Sequence, residues 1–298
     1  MSMKKHPYVS FCILTYKQED FILAALQGAV NQDYDDMEII VSDDCSPDAT
    51  YEKIQSFVAS YRGSKQIIVN RNEYNLGLVP HYNYVLGKLA KGEILIIADG
   101  DDVSYPNRTA DTVAAFQDEK VMLVTGGHCV IDSKGEVIKE ENSRTTYHVL
   151  LTSSSEYLKS KSFMCGAFAP AFRRNVIDWF GTLQDDCQTE DSTLRFRSLL
   201  LGDVVITNKL FQYYRRHDNN ITSSSNLFRL KTKLIAAQYK RDLDKVYEGG
   251  LLSRPLYRKL NRKIRYYVLD RELSRLRTTT RLWGIVRRVV NWYFQITM

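Results

Sequence analysis

Four nearly uninterrupted apolar runs recur through the first hundred residues: Val9-Ser10-Phe11-Cys12-Ile13-Leu14-Thr15, Met37-Glu38-Ile39-Ile40-Val41, Gln66-Ile67-Ile68-Val69 and Glu93-Ile94-Leu95-Ile96-Ile97-Ala98. A strand that alternates apolar and polar residues has one wet face, whereas a run without alternation is buried on both. Helical spacing fills the gaps. Residues 21–30 are amphipathic, 51–61 place Ile54, Phe57 and Val58 on one side, and Pro80 can open a helix carrying Tyr84, Val85 and Leu89. Strand and helix in strict succession predict an α/β fold with a mostly parallel central sheet flanked by helices. Beyond Val121-Met122-Leu123-Val124-Thr125 the pattern loosens. A hairpin is expected over 130–138 with Gly135 in its turn, then a polar surface loop over 139–155. A helix follows over 190–201, short strands over 204–206 and 210–214, and a polar break over 219–225.

The 298 residues are 44% hydrophobic and 26% charged, enough to build a large core and unlike collagen or a disordered chain. No apolar stretch reaches the roughly 18 residues of a membrane span. The opening Met1-Ser2-Met3-Lys4-Lys5-His6-Pro7 has no signal-peptide core, so secretion is not expected. Cys12, Cys45, Cys129, Cys165 and Cys187 are odd in number and never spaced as metal ligands, which predicts free thiols in a reducing cytosol. The net charge of +6 hides a division. Residues 226–298 hold 18 Lys/Arg against 5 Asp/Glu, a net of +13, which leaves 1–225 at −7. An acidic body with a basic, anion-seeking tail is the organisation this predicts, without internal repeats or low-complexity tracts.

Ligands of such sheets bind at the carboxyl ends of the strands. Three of those ends are polar here: Thr15-Tyr16, Asp43-Asp44 and Asp99-Gly100-Asp101-Asp102. Three carboxylates in four residues repel one another unless a cation or solvent relieves them, and Gly100 would let the backbone approach a ligand. The same tetrapeptide also reads as a capping turn ahead of Pro106. Asp185-Asp186 with Glu190-Asp191 reads, by itself, as acids favoured at a helix N-terminus, and His217 as a surface or packed histidine. No Walker loop, G-x-G-x-x-G or serine elbow occurs.

Taken in order, these residues resemble the family 2 glycosyltransferases of the GT-A fold, and are similar to bacterial enzymes that build O-antigens, capsules and exopolysaccharides. The resemblance runs from about residue 9 to 225. It rests on the first strand through Thr15-Tyr16-Lys17, Gln32, Ser42-Asp43-Asp44-Cys45-Ser46, Asn75-Leu76-Gly77 and Asp99-Gly100-Asp101-Asp102 with Pro106 and Arg108. Gly166, Phe172-Arg173-Arg174, Thr189-Glu190-Asp191 and Tyr214-Arg215-Arg216-His217 complete it. It implies a catalytic domain over 1–225, with a nucleotide-sugar half to about 127 and an acceptor half after it. Thr15, Tyr16 and Asp44 would frame uracil and ribose, and Asp99, Gly100 and Asp101 would complete the donor site. Asp101 and His217 would hold Mn2+ or Mg2+, Gly166 and Glu190 would meet the acceptor, and Asp191 would be the catalytic base. Lys17 stands where the family usually has Asn, and Cys45 where it often has Gly or Asn.

The implied reaction is a single displacement that moves a hexose or N-acetylhexosamine from a UDP-sugar to a glycan hydroxyl, with inversion. A polyprenyl-diphosphate-linked saccharide is the implied acceptor. The tail, 226–298, is helical in pattern. Leu227, Leu230, Leu234 and Ile235 share one face, and Leu282, Ile285, Val286, Val289, Tyr293 and Ile296 share another, with Trp283 and Trp292 suited to an interface. This basic helix reads either as lying on an anionic membrane or as packing on the protein or a dimer partner. The first reading gives a cytoplasmic protein held peripherally at the inner membrane face. Nucleic acid is not expected, because no reader module is present and the acidic body repels phosphate backbones. Two other readings stand beside this one. A sugar-1-phosphate nucleotidyltransferase would need a glycine-bearing loop after the first strand. A non-catalytic glycan-assembly scaffold would have no reason to hold Asp44, Asp99, Asp101, Asp191 and His217 together.

Overall fold

The computed structural model describes residues 6–141, 146–149, 168–218, 231–275 and 288. In chain order its elements are β1 (Val9–Thr15), α1 (Ile22–Val30), β2 (Met37–Asp43), α2 (Thr50–Ser60), β3 (Gln66–Arg71), and α3 (Leu78–Tyr84) running into a π-type turn (Val85–Leu89). β4 (Ile94–Asp99), β5 (Val103–Ser104), α4 (Arg108–Ala115), β6 (Val121–Ile131), β7 (Val137–Glu141), β8 (Tyr147–Val149) and β9 (Phe168–Arg173) follow. Last come α5 (Arg174–Phe180), α6 (Glu190–Leu201), β10 (Asp203–Arg215), α7 (Thr232–Glu248) and α8 (Arg254–Arg275).

One sheet runs β3-β2-β1-β4-β9-β6-β10-β5, with β7 added to β6 and β8 to β10. The first four strands are parallel, as their unbroken apolar runs require. β9 then enters antiparallel to both β4 and β6, so the complete sheet is mixed. That strand is invisible to a reading by pattern because Pro170 breaks it. The sheet absorbs the proline at an irregularity, where Ala169 takes φ +58° and the register with β6 shifts.

Three further expectations change. The polar stretch 139–155 is not all loop, since β7 reaches Glu141 and Tyr147–Val149 pairs with β10; residues 142–145 and 150–155 lie outside those described. β6 is a single strand of 11 residues, buried throughout, rather than one that ends at Thr125. The two short strands over 204–214 are one strand, β10, whose register slips between Ile206 and Gln212. The expected hairpin does form, with Gly135 at φ +95° and its N–H donated to the Asp132 carbonyl. Pro80 sits in the first turn of α3 rather than at its head. Gly77, at φ +80°, precedes the helix, and the N–H that proline lacks would have no intrahelical acceptor there.

Side-chain alternation along the buried strands divides the core between the two sheet faces. Val9, Phe11, Ile13, Ile39 and Val41 pack beneath α1, α2 and α4. Cys12, Leu14, Ile40, Leu95 and Ile97 pack with α3, α5, α6 and the tail helices. Each fully buried Leu, Ile or Phe contributes roughly 1.5–3 kcal/mol of transfer free energy. Ile235, Tyr239, Leu243 and Val246 of α7 and Leu260 and Ile264 of α8 belong to this second cluster. The described part of the basic tail therefore packs on the protein. A buried two-pronged ion pair holds it: Arg197 on α6 donates through Nε and Nη2 to Asp242 on α7, at 3.0 and 3.1 Å. The amphipathic stripe over 282–296 and the break over 219–225 lie outside the described residues. Among those described, no helix is long and apolar enough to cross a membrane. Cys12, Cys45, Cys129 and Cys187 are free thiols; Cys165 is not among the described residues.

Candidate active site

The carboxyl ends of β1, β2 and β4 lie side by side, since Thr15 pairs with Asp43 and Leu14 with Asp99. Beyond β1 the chain turns through Lys17 at φ +57°. The Lys17 N–H then donates to Ser46 Oγ and the Gln18 N–H to Thr50 Oγ1, each at 2.9 Å. This fastens the β1 loop to the β2 loop. Tyr16 stays 40% exposed, while Thr15 is buried with no partner for Oγ1 among the described residues.

Asp43 is buried and capped by Ser46, which donates through its N–H at 2.9 Å and its hydroxyl at 2.5 Å. Asp44 is buried as well. It accepts from Asn72 Nδ2 at 2.7 Å and from the Leu76 and Gly77 N–H groups at 2.8 and 2.9 Å. The predicted donor-site residue Asp44 thus shapes the Asn75-Leu76-Gly77 loop. Asn70 links Asn72 to Ser42, whose hydroxyl meets His81 Nε2 at 2.7 Å. Burial pushes the His81 imidazole below its ordinary pKa, against the pull of Asp44 and Asp43. Ser42 stands in the β2-end motif, but Asn70, Asn72 and His81 do not stand out by pattern.

The loop after β4 is built differently. Gly100 is packed closely by the β1 loop. A Cβ there would run into the Gln18 side chain and stand 2.7 Å from Thr15 Oγ1. The glycine seats the acidic loop against the end of β1. Asp102 is structural too: buried, it accepts from Gln212 Nε2 at 3.0 Å and the Arg215 N–H at 2.8 Å. Burial raises its pKa, as do Asp101 and Asp99. Arg108 is fully buried and donates to the Ile97 carbonyl at 2.6 Å and to Ser104 Oγ at 2.9 Å. Gln32 grips the same turn, accepting from the Thr109 N–H and donating to the Tyr105 carbonyl.

Asp99 and Asp101 are left for the cleft. Asp101 Oδ2 meets His217 Nε2 at 2.9 Å, and the His217 ring lies 4.8 Å from that of Phe21. Positions 116 residues apart are thus joined, and the surface reading of His217 is set aside. The Asp99 side chain is exposed to the cleft, yet its carboxyl is pushed up to about 7. Crowding by the cleft walls is the main cause; Asp101 and Asp191 reinforce it and Arg108 opposes it. α6 begins at Glu190 and Asp191, so both acids do occupy a helix N-terminus. Asp191 accepts from the Ser192 N–H at 2.5 Å and from Arg195 Nη2 at 3.1 Å. Glu190 is pushed up to about 8, first by burial, then by Asp191 and, more weakly, Asp99. The acids of the later half therefore face Asp99. Tyr82 of α3 feels Asp99, Glu190, Asp191 and Arg195 together, and pattern gave no hint of Tyr82 or Arg195. Gly166 lies outside the described residues.

Asp101 and His217 offer a carboxylate oxygen and an imidazole nitrogen at one point, a donor set that suits Mn2+ or Mg2+. Among the described residues no cluster of three or more His, Cys, Asp or Glu could hold a metal alone. A divalent ion here would draw its remaining ligands from water and phosphate oxygens, as is usual where metals serve phosphorylated substrates.

An α/β sheet with acids at the ends of β2 and β4, and two more at the N-terminus of α6, has the layout of the GT-A class of folds. The family model described as Glycosyl transferase family 2 matches residues 10–194, and the chain belongs to that family. Over 148 residues it is 28% identical to the putative colanic acid biosynthesis glycosyl transferase WcaA of Escherichia coli, covering 49% of this chain and 50% of that protein. It is 26% identical over 283 residues to the GalNAc(5)-diNAcBac-PP-undecaprenol beta-1,3-glucosyltransferase of Campylobacter jejuni, covering 90% and 89%. The chain spans about half the length or less of the first curated relatives it matches. Among solved structures, S. aureus TarS 1–349 in complex with UDP-GlcNAc superposes with a TM-score of 0.66 at 20% identity, over 91% of this chain and 74% of that one. The expected GT-A fold is borne out.

Proposed function

We propose that the protein is an inverting, divalent-metal-dependent glycosyltransferase. It moves a hexose or N-acetylhexosamine from a UDP-sugar to a hydroxyl of a polyprenyl-diphosphate-linked saccharide during bacterial surface polysaccharide synthesis. The observation that carries this is the single cleft in which Asp99, Asp101 and His217 face Glu190 and Asp191. UDP-GlcNAc on TarS and the undecaprenol-linked acceptor in the C. jejuni relative's name support the choice of substrates.

Thr15, Tyr16 and Asp44 frame the nucleoside, with Asp44 acting through the loop it holds. Asp99 faces the ribose and sugar. Asp101 and His217 would hold Mn2+ or Mg2+, which would supply a Lewis acid for the charge that develops on the departing diphosphate. Asp191 takes the proton of the acceptor hydroxyl. Arg195 and the Ser192 N–H fix its carboxylate, and each oxygen keeps a lone pair for that proton. Glu190 and Gly166 lie on the acceptor side. Attack from the face opposite the leaving group turns an α-linked donor into a β-linked product. Residues 1–225 act as the catalytic unit. Residues 226–298 hold the protein peripherally at the inner face of the cytoplasmic membrane, where the acceptor resides.

Asp191→Asn is the test. Transfer from a UDP-sugar panel in Mn2+ should be abolished, while UDP affinity stays within a few-fold of wild type. Full transfer by the variant would sink the base assignment. UDP binding without product in the wild type would point to the scaffold.

A further inference from the structure

The outward side of α8 carries a row of cations. Leu260, Lys263, Ile264 and Tyr266 are buried on the side that meets the core. Arg254, Arg258, Arg262 and Arg265 are exposed on the opposite side. Spacings of 4, 4 and 3 residues confine them to a sector about 80° wide and roughly 16 Å long. Leu269, 44% exposed, continues the row, and Glu272 falls at its far end. Among the described residues, none of these four makes an ion pair, unlike Arg71, Arg174, Arg195, Arg197 and Arg241. Four unpaired like charges on adjacent turns repel one another and weaken the helix unless an anionic partner relieves them. Every one is arginine, whose planar fork suits phosphate oxygens better than the point charge of lysine.

We propose that this face of α8 docks the protein on an anionic membrane, with Arg254, Arg258, Arg262 and Arg265 engaging lipid phosphates and Leu269 entering the headgroup layer. The inference rests on the reading above that the acceptor is lipid-linked, and it assigns the contact to α8 rather than to the stripe over 282–296. A membrane suits this surface better than a nucleic acid. The row is straight and convex, an exposed leucine lies in line with it, and the body beyond carries −7, which repels a polyanion long enough to overrun α8.

The full chain is sedimented with phosphatidylcholine vesicles, with and without phosphatidylglycerol, in the absence of donor. Wild type should bind only the anionic vesicles and should be released as salt rises. A surface arginine is worth about five-fold in partitioning, so replacing all four with Gln should weaken binding by roughly 100- to 1,000-fold. UDP release with a water-soluble saccharide acceptor should not change. The fourfold Arg→Lys variant should keep most of the binding, which separates lost charge from lost fold. Equal binding by the Gln variant, or none by wild type, overturns the proposal, as does tighter binding to duplex DNA than to vesicles. Absent UDP release in wild type would instead count against the glycosyltransferase reading, because vesicle binding is scored without it.

Discussion

Two strand ends in this protein carry adjacent carboxylates, and they do opposite things. At the end of β2, Asp43 and Asp44 accept five hydrogen bonds between them, from Ser46, Asn72, Leu76 and Gly77. At the end of β4, Asp101 meets the His217 imidazole, and Asp99 is lifted to about 7. The difference lies in the neighbours. Ser46 after β2 and the Asn72, Leu76 and Gly77 donors after β3 turn onto these carboxylates, so their charge serves the architecture. In the β4 loop Asp102 takes the structural share, which leaves its neighbours to face the cleft. Carboxylates that are already satisfied hold a site together, and those short of donors are the ones that act on a ligand.

The contrast can be broken by exchanging the two outcomes. Asp101→Ala should lower UDP release by about 10³-fold, the scale for losing an electrostatic group at a reacting centre, with the melting temperature unchanged. Asp44→Ala should leave buried donors on Asn72, Leu76 and Gly77 unmet. The expected cost is about 3 kcal/mol, which lowers Tm by roughly 6–12 °C in a thermal melt. If the two variants trade these phenotypes, the division of labour between the loops is wrong.

A subtler test uses Glu190. Its folded pKa, about 8, lies above the ordinary 4.5, so the folded state holds a proton that the unfolded chain has released between those values. Stability must therefore fall as pH rises through this window. Glu190→Gln removes that proton exchange. Its Tm should decline less than that of wild type between pH 5 and 8 in the metal-free protein; parallel curves would show that Glu190 is not held protonated.

The smallest effect concerns the two departures from the family pattern. Lys17 and Cys45 stand at φ +57° and +58°, a region that costs a side chain with a Cβ about 1 kcal/mol and that Asn or Gly enters readily. Lys17→Asn and Cys45→Gly should each raise stability by about 0.5 kcal/mol in urea titrations. These departures are thus conformational, whatever they do to donor choice.

Much of this was legible in the residues. The parallel strands β1, β2 and β4 announce themselves because each is buried along nearly its whole length and so is mostly apolar. α6 is legible at both ends, since Thr189-Glu190-Asp191 starts it and Gly202 follows it. β9 was hidden by Pro170, whose cost is met by an irregularity that only the assembled sheet supplies. β10 looked like two strands because its polar middle, Thr207-Asn208-Lys209, falls at its register slip. Acid at the strand ends was plain, but which acids were already occupied was not. Asp44 meets its donors 28 to 33 positions away and Asp102 meets its donors 110 to 113 away, separations no local pattern reports.

The strand that leads into His217 has a consequence for how the protein is made. Asp101 leaves the ribosome 116 residues before His217, a delay on the order of ten seconds at bacterial elongation rates. β6 joins β4 only through β9, which is made later than both, and β10 then closes the far side. For that interval the nascent chain exposes its acidic loop with neither Arg215 nor His217 to meet it. The acidic loop and its His217 partner are therefore completed only with the sheet, and a ribosome stalled before residue 203 would display about two thirds of the chain without β10 or His217.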